Sequence, residues 1–126
     1  MIVGIGSDII KIARIKALLD KNKQRFLLKI FTLKEIELTQ NINNTQRLAG
    51  YVAKRFAAKE ACAKAFGTGI GANLSFHDLE IFQDKLGKPY FKFSEKINNK
   101  HQQIKVHLTM TDEQEYAQTF VIIEEL

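Results

Sequence analysis

Glu60 and Lys64 stand four residues apart in the run Arg55-Phe-Ala-Ala-Lys-Glu60-Ala-Cys-Ala-Lys64-Ala-Phe-Gly67-Thr-Gly69. On a helix that spacing makes them neighbours on one face. The carboxylate of such a pair can hold a divalent cation while the amine meets a phosphate. Spacing alone favours a plainer reading, an i,i+4 salt bridge. A second carboxylate far upstream, Asp8, shifts that balance. Mg²⁺ takes oxygen ligands, needs only one or two protein carboxylates, and leaves its other positions to water and substrate phosphates. Two carboxylates with cationic side chains nearby suit phosphoryl chemistry, because metal and amines offset charge on the phosphate oxygens. Asp8 also has a plainer role open to it, as a helix N-cap.

Other chemistries find little support. Cys62 is the only thiol and the three histidines are scattered, so no zinc set competes. Among helical alanines, Cys62 reads as a small buried hydrophobe and not as a nucleophile. Neither a Gly-x-Ser-x-Gly elbow nor a Walker A loop occurs. Gly67, Thr68 and Gly69 either end a helix or cradle a phosphate, and so short a glycine run decides little. His107 falls on the polar side of an alternating segment, from which it could reach a phosphate. His77 and His101 sit in loop-like contexts and read as incidental.

These residues need elements to carry them. Residues 2–6 predict an apolar strand whose Gly4 and Gly6 permit close backbone approach or a sharp exit. Ser7 or Asp8 then falls where an N-cap belongs, and Ile12, Ile15, Leu18 and Leu19 follow at helical spacing. Residues 21–25 read as the basic end of that helix and its connection. Thr32 and Glu35 form a capping-box pattern, with Phe31 and Ile36 placed as a hydrophobic staple, so a short helix is expected over about 33–40. After a polar loop at 41–45, a long alanine-rich helix is expected over about 46–66, with Gly67 at C′. The second half changes period. Residues 79–83 and 90–93 flank a turn at 84–89 and predict a hairpin. Residues 94–103 are polar, with room for a short helix. Ile104, Val106, Leu108 and Met110 alternate with polar residues in a half-buried strand, and residues 116–123 form a last strand after a turn at 111–115. Helices early and antiparallel strands late give an α+β class.

The 126 residues predict one domain, 1–126, large enough to bury roughly two-thirds of its unfolded surface. The net charge of +5 is unevenly placed. Residues 11–29 hold seven cations against Asp20 alone, a net +6, which leaves −1 for the rest of the chain. That segment predicts an acidic partner, or else a solvated lysine face. Nucleic acid fits less well, because aromatic residues are not interleaved with the charges as a stacking platform needs. A lone cysteine suits a reducing compartment. No apolar run approaches the ~20 residues of a membrane span, and the N-terminal residues lack a basic signal-peptide region. The expectation is a soluble, cytoplasmic protein that meets neither membrane nor nucleic acid.

Taken in order, several segments carry a resemblance: Gly4-Ile-Gly-Ser-Asp8-Ile with Arg14-Ile15; Phe31-Thr-Leu-Lys-Glu35; Arg55-Phe-Ala-Ala-Lys-Glu60-Ala with Lys64-Ala-Phe-Gly-Thr-Gly69; Leu74-Ser-Phe with Asp78-Leu-Glu80; Gly87-Lys-Pro89; Val106-His107-Leu-Thr; and Glu115-Tyr-Ala117. The chain resembles the holo-[acyl-carrier-protein] synthases, the small bacterial 4′-phosphopantetheinyl transferases, nearly end to end. The resemblance implies transfer of the 4′-phosphopantetheine arm of coenzyme A to a serine of apo acyl carrier protein, with release of adenosine 3′,5′-bisphosphate, in support of fatty acid biosynthesis. It implies Asp8 and Glu60 as Mg²⁺ ligands, and Asp8, Glu60 and Lys64 as the catalytic set. Glu60, or a water on the metal, is the base that takes the serine proton. Lys64 meets the phosphates, and Arg55, Gly67, Thr68, Gly69, Pro89 and His107 surround the nucleotide end of coenzyme A.

The basic segment then gains a partner, since acyl carrier proteins are strongly acidic and the family docks them on the first helix. Arg14 matches a docking arginine, Lys21 lies on the same segment, and Arg25 matches another docking arginine if one residue is inserted near Asp20. The resemblance further implies a homotrimer with each active site between two subunits. Two positions depart from the family pattern. Asp112 stands where histidine is common, which sets an added negative charge at that turn, and Ser7 replaces a residue that is often apolar. Two readings from other classes compete. A binding module for nucleic acid or an acidic protein would leave Asp8, Glu60 and Lys64 unused. A Mg²⁺-dependent nucleotide hydrolase would leave the basic helix unexplained.

Overall fold

The computed structural model describes residues 1–126. The elements are β1 (Ile2–Lys11), α1 (Ile12–Ile30), α2 (Leu33–Glu37), α3 (Thr45–Phe66), β2 (Leu79–Gln83), β3 (Pro89–Phe93), α4 (Glu95–Lys100), β4 (Ile104–Asp112) and β5 (Tyr116–Glu125). A single turn of 3₁₀ helix, Phe76–Asp78, precedes β2. Strands pair antiparallel in the order β1-β5-β4, and β2 with β3 forms a separate hairpin. The α+β class holds.

α3 is the centre of the molecule. Asn44 caps it, its Oδ1 accepting the Arg47 N–H at 3.0 Å, and Gly67 closes it in the left-handed region at φ 81°. On one side α3 meets a cluster built from Ile12, Ile15, Leu19, Leu27, Ile30 and Phe31. On the other, Ala58, Ala61, Cys62 and Ala65 meet Leu79, Ile81, Leu108, Val121 and Ile123. The alanines are what admit neighbours so closely. At Gly4 a β-carbon would overlap the Ala65 carbonyl oxygen, and at Gly6 it would overlap that of Ala61 and come within 2.8 Å of the Ala65 nitrogen. Backbone therefore lies directly on backbone where β1 crosses α3, the close approach expected of these two glycines.

Three boundaries differ most from the sequence expectations, while β4 runs through Asp112 into the expected turn and β3 begins at Pro89. β1 does not stop at Gly6 but runs to Lys11, because its pairing with β5 continues from Gly6↔Val121 through Lys11↔Tyr116. Ser7 and Asp8 are consequently strand residues and cap nothing; Lys11 occupies the N-cap of α1 without a side-chain bond. Residues 21–25 do not end α1 either. The chain leaves helical geometry at Asn22 alone, at φ −163° and ψ 91°, then resumes to Ile30. α2 is one turn shorter than expected, though its capping box is present: Thr32 Oγ1 accepts the Glu35 N–H, and Glu35 Oε1 accepts the Thr32 N–H.

Glu35 does more than cap. Lys59, from the opposite face of α3 to the alanines under β1, is wholly buried and donates its three protons to Glu35 Oε1 (2.7 Å), Ile30 O (2.7 Å) and Phe76 O (3.0 Å). Glu35 Oε2 accepts the Ile81 N–H at 3.1 Å. One ammonium thus ties the ends of α1 and α2 and the entry to β2 onto α3. Burial lowers the Lys59 pKa, and the Glu35 carboxylate opposes that shift.

Candidate active site

Asp8 faces α3 because strand pairing puts it on the inner side of the sheet. It lies across from Thr119, which is buried, in the same inward row as Gly6 and Ile10. The glycine contacts bring β1 down onto the turn of α3 that carries Ala61 and Ala65, and Lys64 reaches across. Its Nζ donates to Asp8 Oδ1 at 2.9 Å and to the Ser7 carbonyl at 3.0 Å. Asp8 is four-fifths buried at the side chain, whereas Lys64 stays half exposed and open to a ligand. The salt bridge expected between Glu60 and Lys64 is replaced by this longer-range one, because β1 crosses α3 closely enough to bring Asp8 within reach of Lys64.

Glu60 is half-buried beside the pair. Burial raises its pKa first, the negative charge of Asp8 raises it further, and Lys64 and Arg14 partly offset both. Arg14, from the first helical turns of α1, therefore acts electrostatically on the site as well as on the basic surface. Opposite Asp8, the Thr119 hydroxyl is buried without a hydrogen-bond partner. Two carboxylates that repel one another, next to an unsatisfied hydroxyl and an open approach, form an all-oxygen donor set that fits a hard divalent cation. No group of three or more His, Cys, Asp or Glu residues gathers anywhere, so the rest of such a cation's shell would come from water and ligand.

The other named residues fall elsewhere. Arg55 is enclosed in α3, 3 % exposed, stacked 3.5 Å above the Tyr51 ring and donating to the Tyr51 carbonyl. Its burial lowers its pKa, and within one chain it has no open path to the Asp8 cluster. The amides of Gly67, Thr68 and Gly69 all turn back to the Ala63 and Lys64 carbonyls. They complete the helix cap and so do not form a free phosphate cradle. Pro89 begins β3 opposite Gln83 in the hairpin. His107 pairs with Glu124 at 3.1 Å on the outer face of the sheet, the face opposite Asp8. Only a second copy could bring an imidazole so placed to the Asp8 cluster. Arg14, Lys21 and Arg25 are all exposed along α1. Asp112 meets Lys54 at 3.4 Å, so its charge is partly neutralised within the chain. Both line an open concavity of about 640 Å³ with Arg47, Gly50 and Tyr51, away from Asp8.

Residues 4–121 match the 4′-phosphopantetheinyl transferase superfamily. The holo-[acyl-carrier-protein] synthase of Wolbachia pipientis subsp. Culex pipiens (strain wPip) is 43% identical over 123 residues, covering 98% of each chain. The chain belongs to the holo-[acyl-carrier-protein] synthases. A member of that family is a transferase, and this chain is one. Its fold is shared throughout with other holo-[acyl-carrier-protein] synthases. That of Neisseria meningitidis superposes with a TM-score of 0.89 at 39% identity, covering 99% of this chain and all of the other. That of Bacillus anthracis str. Ames, solved in complex with CoA (3′,5′-ADP), superposes with a TM-score of 0.87 at 41% identity, covering 100% and 99%.

Sequence reasoning missed two site-supporting features. Lys59 lies inside the motif that named the family, yet it turns away from the site and braces the fold. A lysine set among alanines, with a glutamate already committed to a buried capping box, was the available signal. The joint at Asn22 left only a weaker one, a capping-type residue within a run of cations.

Proposed function

We propose that this chain catalyses Mg²⁺-dependent transfer of 4′-phosphopantetheine from coenzyme A to a serine of apo acyl carrier protein, releasing adenosine 3′,5′-bisphosphate. The observation that carries the reading is the packing of β1 onto α3, which sets Asp8 beside Lys64 and next to Glu60. Asp8 and Glu60 would hold the cation. When bound, Mg²⁺ supplies positive charge to the pyrophosphate oxygens and to the leaving phosphate. Lys64 adds a mobile cation on the exposed side, where it can turn from Asp8 to a phosphate oxygen. The serine oxygen forms a bond to the phosphorus that bears the pantetheine arm, and the bond from that phosphorus to the nucleotide phosphate oxygen breaks. The serine proton must leave, and the raised basicity of Glu60 suits it to accept that proton.

The exposed cations of α1 support an acidic carrier protein as the acceptor, since opposite charge speeds encounter and fixes orientation. The outer face of β1 and β5 exposes Val3, Ile5, Ile9 and Phe120. A patch of that kind supports assembly with further copies, in keeping with a homotrimer whose sites lie between subunits. That arrangement would also supply what one chain lacks around Asp8, including His107 from a neighbour. No helix is long and apolar enough to cross a membrane. A cytoplasmic role in fatty acid biosynthesis follows from the acceptor. The test is direct: coenzyme A, Mg²⁺ and apo acyl carrier protein from the same cell are mixed, and the carrier gains the mass of the phosphopantetheine arm. Asp8→Ala and Glu60→Ala should each abolish that gain. Transfer at normal rates by both variants would remove the site assignment, and absence of transfer by the unmodified chain would remove the function.

A further inference from the structure

We propose that Thr119 is a positioning residue for Asp8, its hydroxyl taking over the carboxylate when Lys64 leaves it. Thr119 is 1% exposed, and its Oγ1 is buried without a hydrogen-bond partner. A hydroxyl in that state lowers stability, because it has left water and gained no bond in exchange. Valine has the same branched shape and the same fitness for a strand. Packing therefore gives no reason for the oxygen, and its use must lie in what stands beside it.

β5 is the middle strand of its sheet, so Thr119 has a cross-strand neighbour on each side. On β4 that neighbour is Met110, which offers only a thioether. On β1 it is Asp8. Along β5 the same face carries Ala117 and Val121, both wholly buried, and α3 adds alanines to the clusters around them. Asp8 is the one charged acceptor among these neighbours. Residues directly opposite in an antiparallel pair have β-carbons roughly 4.5–5.5 Å apart, a gap that a hydroxyl and a carboxylate can close by side-chain rotation. The acceptor is available: Lys64 Nζ donates to Asp8 Oδ1 at 2.9 Å, and Oδ2 takes no bond within the chain. Lys64 is half exposed and so the less fixed of the two partners. Once it turns to a phosphate oxygen, Asp8 has no donor left. The Thr119 hydroxyl, on the dry side of the carboxylate, then anchors one oxygen and leaves the other to the cation. Donors of this kind orient a ligating carboxylate and commonly change metal affinity by about tenfold or more. The hydroxyl thus weakens the metal-free fold and strengthens the metal-bound site.

This inference rests on the reading of Asp8 as a cation ligand, and its test separates the two. Mn²⁺ affinity is measured by paramagnetic resonance at fixed pH, and the urea midpoint is measured on metal-free protein at one protein concentration. Both are taken for the unmodified chain, Thr119→Val, Thr119→Ser and Asp8→Ala. Thr119→Val keeps the shape without the hydroxyl. Its Mn²⁺ affinity should fall about tenfold, while its urea midpoint should equal or exceed that of the unmodified chain. Thr119→Ser keeps the hydroxyl and should bind Mn²⁺ within about twofold of the unmodified chain, although loss of a buried methyl lowers its midpoint. A role in packing alone would move the midpoint of Thr119→Val downward and leave Mn²⁺ affinity to follow the fold. Unchanged Mn²⁺ affinity in Thr119→Val overturns the proposal, as does a lowered midpoint in that variant, or a loss of affinity in Thr119→Ser as large as in Thr119→Val. Absence of Mn²⁺ binding by the unmodified chain, or full binding by Asp8→Ala, overturns the ligand reading and this inference with it.

Discussion

At the scale of single residues the site is a balance of three charges, and the balance predicts how it responds to pH. Glu60 has its pKa raised by burial and by Asp8. A raised carboxyl binds its proton more tightly, and cation binding must displace that proton. Affinity for Mn²⁺, used as a spectroscopic stand-in for Mg²⁺, should therefore weaken as pH falls, beginning above the ordinary glutamate value of 4.5. Titration of Mn²⁺ by paramagnetic resonance at several pH values reads this directly. In Asp8→Asn the Glu60 carboxyl should titrate lower, seen as a shift in its carbon resonance, because one of the two raising influences is gone. A second residue prediction concerns Lys59. Lys59→Met leaves the Glu35 carboxylate buried without its counterion, so chemical denaturation should show a loss of about 3–5 kcal/mol. Double replacement of Lys59 and Glu35 by apolar residues should lose less, because no charge then stays unpaired.

At the scale of elements, the decisive contact is backbone against backbone. Gly6→Ala places a methyl into the Ala61 carbonyl, so β1 must lift from α3 or α3 must bend. We expect a stability loss of about 1–3 kcal/mol by overpacking. Transfer activity should fall by more than this loss alone explains, since Asp8 moves with β1. Circular dichroism melts and rates on the same preparation check the pair. Much of this level was legible before any coordinates. The glycines of β1, the capping box at Thr32 and Glu35, the Gly67 terminus and the hairpin all depend on neighbours within a few residues, and local rules reach that far. What was not legible depends on distant partners. Nothing near Asp8 says that β1 continues past Gly6, because the ladder that extends it is written in residues 116–121. Nothing near Lys64 says that Asp8 outcompetes Glu60 for it. The enclosure of Arg55 by Tyr51, and of Lys59 by three separate segments, likewise follows from packing that the family motif does not encode.

At the scale of the whole molecule, the proposed reaction asks for residues that one chain holds apart. The Asp8 cluster lies on the inner side of the sheet edge, while His107 lies on the outer side and Arg55 is enclosed. The apolar outer face of β1 and β5 is where a second copy would supply the rest. Sedimentation should therefore give three times the chain mass of 14.4 kDa. Ile5→Glu, with Ile5 now 65% exposed, should lower that mass and abolish transfer together, since a charge there would be buried on assembly. A monomer that retained full transfer activity would refute sites shared between subunits.

The pairing of β1 with β5 also sets an order of events during synthesis. Asp8 is made before α1 to α4 and β2 to β4, yet the strand that holds it in line, Tyr116–Glu125, follows all of them. Until then β1 has only α3 to lean on. All of those elements must therefore emerge before the Asp8 carboxylate takes its place, which makes this site one of the slowest parts of the molecule to mature.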